Sequence, residues 1–380
     1  MKEKNQQKKE NKILSVIVGI IPGVIAGVAL GLLIDWAFDR PPFGLYICDL
    51  FIGVCLVALA LIFSIAIHEA GHLVFGLMTG YKFSSYRIFS LMWIKDENRK
   101  IRLKRFKLAG TGGQCLMTPP DMKDGRIPST IYNLGGVFAN IIIGLIFLAL
   151  FLIFIDIKIL AAIMMIFCIV NITFAMTNGI PMSSSGVDND AKNAIAIKRS
   201  PEAMRAFWIQ MKINEKTSKG VRLKDMPDEW FALPSEEEMQ NSMIASLAVF
   251  AANRLVEEKK FEEANSLMTQ IIEGENATIM FYKQLLTCDQ IYIELIGECR
   301  EEIVNNKLNT QQKAFMKAMK NYPSIIRTEY TYELLLKQNP EKANDLLDTF
   351  EEIAKKYPYE NDINAERELI EIATKKSQNQ

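Results

Sequence analysis

The sequence predicts a mainly α protein: a polytopic membrane bundle of about four transmembrane helices with a small membrane-surface β-hairpin, followed by a soluble α-helical C-terminal domain. Three observations carry this expectation. Long apolar runs occupy residues 13 to 181. From Asn193 to Gln380 the chain is rich in Glu and Lys and has no uninterrupted apolar run of spanning length. Within the first half, Lys and Arg concentrate in two polar segments, the pattern by which membrane proteins set their orientation.

The 44 basic and 44 acidic side chains cancel, so a generally basic, nucleic-acid-binding surface is excluded. Cysteines at 48, 55, 115, 168, 288 and 299 stand singly, without a C-x-x-C pair, and read as buried or idle thiols.

Taken in order, residues 1 to 12 form a basic tail with five lysines. Residues 13 to 34, "ILSVIVGIIPGVIAGVALGLLI", match the length of a crossing helix and exceed an ordinary signal-peptide core, so they read as the first transmembrane helix. A second apolar segment runs from about 45 to 79, a third from about 131 to 155, and a fourth from about 157 to 180. The last two are separated by so short a link that they form an antiparallel hairpin. Between the second and third, Gly80 to Thr130 holds eleven Lys and Arg. Both basic segments therefore belong on the cytoplasmic side of the cell membrane, and four crossings return the C-terminal half to the same side.

Inside that basic segment, "YRIFSLMWIKDENRKIRLKRFKLAG" places apolar residues on either side of a polar "DEN" turn and reads as a β-hairpin over about 84 to 108. "GTGGQCLMTPPD" (110 to 121) reads as a loop near the site entrance. Residues 195 to 240 read as a linker. Residues 241 to 380 read as a helical domain. Its "NSMIASLAVFAANRLVEEKKFEEANSLMTQII" breaks into two helices at "EEKK" and resembles a tetratricopeptide-type hairpin that could bind a protein partner.

The chemistry lies in "SIAIHEAGHLVFG" (64 to 76), where the chain's only two histidines interrupt an apolar helix. His68 and His72 are four apart, so both imidazoles leave one helix face and can share one tetrahedral Zn2+. Glu69 lies beside the first, in the position of a general base that acts on water without ligating the metal. The bland alternative is a His–Glu hydrogen bond in a helix bundle. Ionisable groups inside a membrane helix are costly and functional by default, which favours the metal. A third protein ligand must be a carboxylate, since no third histidine exists. The candidates follow the fourth helix, in "TNGIPMSSSGVDNDAKNA", where helices 2 and 4 reach the same face.

These residues resemble the site-2 protease family of intramembrane zinc metalloproteases over residues 45 to about 195. "HEAGH" matches the family's H-E-x-x-H. "GGVFANIII" is similar to its G-P-x-x-N segment, with Gly136 and Asn140 in register and Val137 in place of proline. "NGIPMSSSGVDNDAK" is similar to its N-x-x-P…D-G signature through Asn178 and Pro181. The common family spacing reaches Gly186, so the resemblance implies a longer insert and Asp190 as third ligand, with Asp188 as the alternative.

The resemblance implies a zinc endopeptidase that cleaves membrane-protein segments or signal peptides in the lipid bilayer, with Glu69 moving the proton. It implies that the surface β-hairpin takes an unwound substrate as an added strand. Asn140 either orients the substrate or bonds between helices. Asn171, another amide within a helix, reads as packing glue. A rival reading is a membrane peptidase with a soluble H-E-x-x-H domain completed by a glutamate. A non-enzymatic one is a membrane scaffold or receptor that binds a partner through its C-terminal helices.

Overall fold

The computed structural model describes residues 24–41, 47–95, 100–106, 111–184 and 187–379. The basic tail and the start of the expected first crossing lie outside them. The described residues fall into two compact units, one of residues up to Lys82 with Pro128–Ile195, the other of Phe83–Ile127 with the chain from Ala196 onward.

The first unit is helical: α1 (Val24–Ala37), α2 (Ile47–Met78), α3 (Ser129–Ile153) and α4 (Lys158–Gly179). The last three are long and apolar enough to cross a membrane. At 32, 25 and 22 residues they extend roughly 48, 38 and 33 Å, against a hydrocarbon core of about 30 Å. α1 is the described remainder of the first expected crossing and is a shorter apolar helix. The outward side chains stay apolar, as at Ile47, Phe51, Leu145 and Ile153. A water-soluble bundle would turn such residues inward.

Helices α2, α3 and α4 meet through Phe63, Phe147 and Phe167, whose ring centroids stand 5.1 to 5.8 Å apart. Lower in the contact, Gly71 of α2 lies against Gly135 of α3 so closely that a Cβ at Gly71 would stand 2.3 Å from the Gly135 carbonyl oxygen. Small residues let the two backbones touch, and packing replaces the hydrophobic effect that lipid cannot supply. After α4 come two short antiparallel strands, β5 (Ser183–Ser184) and β6 (Val187–Asp188), and then helix α5 (Asp190–Lys198).

The second unit joins a small sheet to the C-terminal helices. Its strands β1 (Lys82–Ile88), β2 (Leu91–Lys95), β3 (Ile101–Arg105) and β4 (Gly113–Thr118) lie in the order β3-β2-β1-β4. The expected hairpin is thus three antiparallel strands with a fourth added. The first reversal occurs at Phe89 and Ser90, where Phe89 takes a positive φ of 51° without the Gly or Asn that marks such turns. The polar "DEN" expected at a turn lies between β2 and β3, outside the described residues. The "GTGGQCLMTPPD" loop is corrected likewise, because Cys115 and Met117 alternate inward as strand residues between the punctuating glycines and prolines.

The expected linker from 195 to 240 contains helix α6 (Pro201–Ser218). Ser200 caps it by accepting from the Ala203 amide at 3.1 Å, with Pro201 in the first turn. Its buried Ala203, Ala206, Ile209 and Ile213 keep helical spacing, masked in the sequence by the charged outer face. α6 also holds the strand side of the unit, since Trp208 Nε1 donates to the Pro120 carbonyl at 3.0 Å.

Eight α-helices follow among the described residues: α7 (Ser242–Glu257), α8 (Phe261–Glu273), α9 (Met280–Ile296), α10 (Glu301–Lys307), α11 (Thr310–Ala318), α12 (Pro323–Thr331), α13 (Pro340–Ala354) and α14 (Glu360–Gln378). The break between α7 and α8 falls at "EEKK", where Lys259 has a φ of 62°. The core includes Leu247, Ala252, Leu267, Tyr292 and Phe350.

Candidate metal centre

The site is built in the first unit, where α2 meets α3, α4 and the start of α5. Its parts are buried: His68 is 5% exposed, Glu69 8% and His72 8%. His68 Nε2 and His72 Nε2 stand 3.3 Å apart. Asp190 Oδ2 lies 2.9 Å from the first and 3.5 Å from the second. A tetrahedral zinc with bonds of about 2.0 to 2.1 Å has donor atoms about 3.3 Å apart along each edge. The three distances match one face of that tetrahedron.

The protons say what these atoms can do. His72 Nδ1 lies 2.8 Å from the Tyr132 carbonyl, an acceptor only, so this nitrogen carries the hydrogen. In the neutral ring Nε2 is then a lone pair. His68 Nδ1 lies 2.8 Å from Asn140 Oδ1. The orientation of that amide is determined by its neighbours: Asn140 Nδ2 donates to the Ser64 carbonyl at 3.1 Å and to Asn171 Oδ1 at 2.9 Å, while Asn171 Nδ2 donates to the Phe167 carbonyl at 2.9 Å. Carbonyls anchor the chain of amides, so His68 Nδ1 also donates. Two imidazole lone pairs and a buried carboxylate oxygen with no hydrogen-bond donor thus converge. Such a set repels itself unless a cation sits among it, and two nitrogens with one oxygen suit Zn2+.

Local structure places each candidate ligand. Gly136 makes room for His68, because a Cβ there would stand 2.5 Å from His68 Cε1. The His68 ring lies edge-on to Phe174 at 5.4 Å, and Tyr81 stacks on Tyr132 at 4.7 Å behind His72. Asn189 sets Asp190. Its Nδ2 donates to the carbonyls of Thr177 and Ile180 at 2.8 and 2.6 Å, and its Oδ1 accepts from the amides of Met182 and Lys192 at 3.2 and 3.1 Å. One side chain therefore ties the end of α4 to the start of α5, where Asp190 stands.

The two candidate aspartates separate cleanly. Asp190 groups with His68 and His72. Asp188 instead accepts from the Ser183 hydroxyl at 2.5 Å and pairs with Lys192 Nζ at 2.9 Å. Asn140 is fully buried and both ends of its amide are engaged within the helices. Asn178 donates to the Phe174 carbonyl of its own helix at 3.0 Å. Sequence reasoning missed Asn189, Tyr132 and Ser64. Only Asn189 left a trace, as an Asn directly before an acidic helix start.

In comparison with known proteins, the family model described as "Peptidase family M50" matches residues 56–338. No curated protein and no solved structure matches the chain.

Proposed function

Because the chain belongs to peptidase family M50, the site-2 protease family, we propose that it is a zinc endopeptidase that cleaves membrane-embedded segments of single-span proteins or signal peptides. The observation that carries this reading is the convergence of His68 Nε2, His72 Nε2 and Asp190 Oδ2 within 2.9 to 3.5 Å, with both Nδ1 atoms already committed.

His68, His72 and Asp190 would hold the zinc, which when bound would supply Lewis acidity toward the scissile carbonyl and toward water. Glu69 accepts the proton that water loses as its oxygen adds to the carbonyl carbon. It returns that proton to the leaving nitrogen as the C–N bond breaks, leaving a carboxylic acid and an amine. Asn140 and Tyr132 orient the imidazoles, so Asn140 is a positioning residue in this scheme rather than a substrate contact. Substrate helices must unwind to expose an amide. The β3 edge, with Ile101 and Leu103 outward, offers strand pairing to such an extended segment.

The topology that fits the Lys and Arg placement has four crossings, with the N-terminus, the site face and the C-terminal helices cytoplasmic. Glu69→Gln tests the function. The variant keeps its zinc and loses cleavage of a single-span substrate in a reconstituted membrane. Cleavage at the wild-type rate would refute the assigned base, and a phenotype indifferent to Glu69 would point to a scaffold.

A further inference from the structure

The second unit has an open-mouthed cavity of about 340 Å³ among α6, α7, α9, α12 and α14. That volume falls in the range of small-ligand pockets, roughly 300 to 1,000 Å³. One wall is aromatic: Phe106, just past β3, meets Tyr357 and Tyr359 at centroid distances of 5.6 and 6.2 Å, and those two rings stand 6.0 Å apart. Asp362 lines the same cavity and makes no hydrogen bond or ion pair among the described residues.

The neighbouring carboxylates are already paired. Arg327, 1% exposed, bonds Glu366 Oε2 at 2.9 Å and also pairs with Asp289. Arg222 pairs with Glu257 and Glu368, and Lys259 with Glu368. Asp289, Glu257, Glu366 and Glu368 thus each have a cationic partner, whereas Asp362 has none among the described residues. Uncompensated buried charge is costly. The cost is visible at Asp362, whose carboxyl is pushed up to about 7 by burial and then by Glu257 and Glu366, against a lowering by Arg222.

We propose that this cavity is a binding site for an organic cation, an ammonium or guanidinium group on an aliphatic stem, held between the Tyr357–Tyr359–Phe106 wall and the Asp362 carboxylate. A carboxylate gives the charge-assisted hydrogen bond and the ring faces attract the cation, while the apolar lining takes the stem. A hard metal ion fits poorly, since it wants six or more oxygen ligands and the free carboxylate here is Asp362 alone among the described residues. The cation is either the side chain of a basic residue in a polypeptide or a free amine. The inference holds whether or not the chain cleaves peptides.

The test is titration calorimetry on the full chain in detergent. The probes are butylammonium, N-acetyl-lysine methylamide, a lysine-centred pentapeptide, and the same pentapeptide with norleucine. Saturable binding of the cationic probes, at least tenfold weaker for norleucine and at least tenfold weaker in Asp362→Asn, is expected. Tighter binding of the lysine pentapeptide than of butylammonium identifies a polypeptide source, and equal binding a free amine. Tyr359→Leu is a second variant and weakens the cationic probes, whereas Tyr359→Phe does not. Absence of saturable binding, equal affinity for norleucine, or unchanged affinity in both Asp362→Asn and Tyr359→Leu overturns the proposal.

Discussion

Asp190 Oδ2 lies 2.9 Å from His68 Nε2, although the aspartate opens α5 and the histidine sits inside α2. The contact depends on Asn189, which clamps the end of α4 to the first turn of α5. A carboxylate and an imidazole lone pair stay this close in the neutral-histidine state only with a cation among them.

Substituting the two aspartates therefore has unequal effects. Asp190→Ala loses most of the bound zinc, measured by elemental analysis of the purified membrane protein. Asp188→Ala keeps it, because that side chain serves Ser183 and Lys192. The reverse result would reassign the ligand.

Removing the amide behind His68 separates positioning from substrate binding. Asn140→Leu leaves His68 Nδ1 and Asn171 Oδ1 without their partner in a buried site, a cost of about 1 to 3 kcal/mol for each group. Zinc affinity falls by roughly 10- to 100-fold. A raised KM with zinc affinity unchanged would return Asn140 to the substrate.

Glycine geometry gives a steric test. Gly136→Ala forces a Cβ to 2.5 Å from His68 Cε1 and displaces the ring, so metal occupancy and activity fall together. Gly31→Ala, where a Cβ meets nothing within 4 Å, leaves both unchanged. Equal tolerance of the two substitutions would show that His68 is not held as described.

Asp362 governs a pH dependence of the second unit. An unfolded Asp titrates near pH ~4, whereas the folded carboxyl is pushed up to about 7 by burial and by Glu257 and Glu366, with Tyr322, Tyr357, Tyr359 and Arg222 also around it. Between these values the folded state binds the extra proton, so stability falls as pH rises through that window and stays lower above it. Asp362→Asn removes this loss and is more stable than wild type at pH ~8 by about 1 to 4 kcal/mol. Urea unfolding at pH ~5 and ~8 checks it, and a variant no more stable at the higher pH contradicts it.

The candidate metal-binding helix was legible because two imidazoles four apart in an apolar helix have few other uses. Its length and the α3–α4 hairpin followed from apolar runs. The resemblance pointed to Asp190, the aspartate that lies beside the two imidazoles, whereas spacing alone left Asp188 equal. The residues that hold the imidazoles and Asp190 in place were not legible. Whether Asn140 faces a substrate or His68 depends on Ser64 and Asn171, which come from other helices. β4 hid between glycines and prolines, and α6 hid behind its charged face. In both, the burying partner is distant in sequence, and local composition cannot report it.

The most direct measurement is the zinc content of the purified full chain, wild type beside His68→Ala, with X-ray absorption to identify the donors. The account predicts about one zinc per wild-type chain, bound by nitrogen and oxygen at about 2.0 to 2.2 Å, and little in the variant. A wild-type chain without stoichiometric zinc after growth and purification with zinc present, or a variant that retains it, would contradict the assignment.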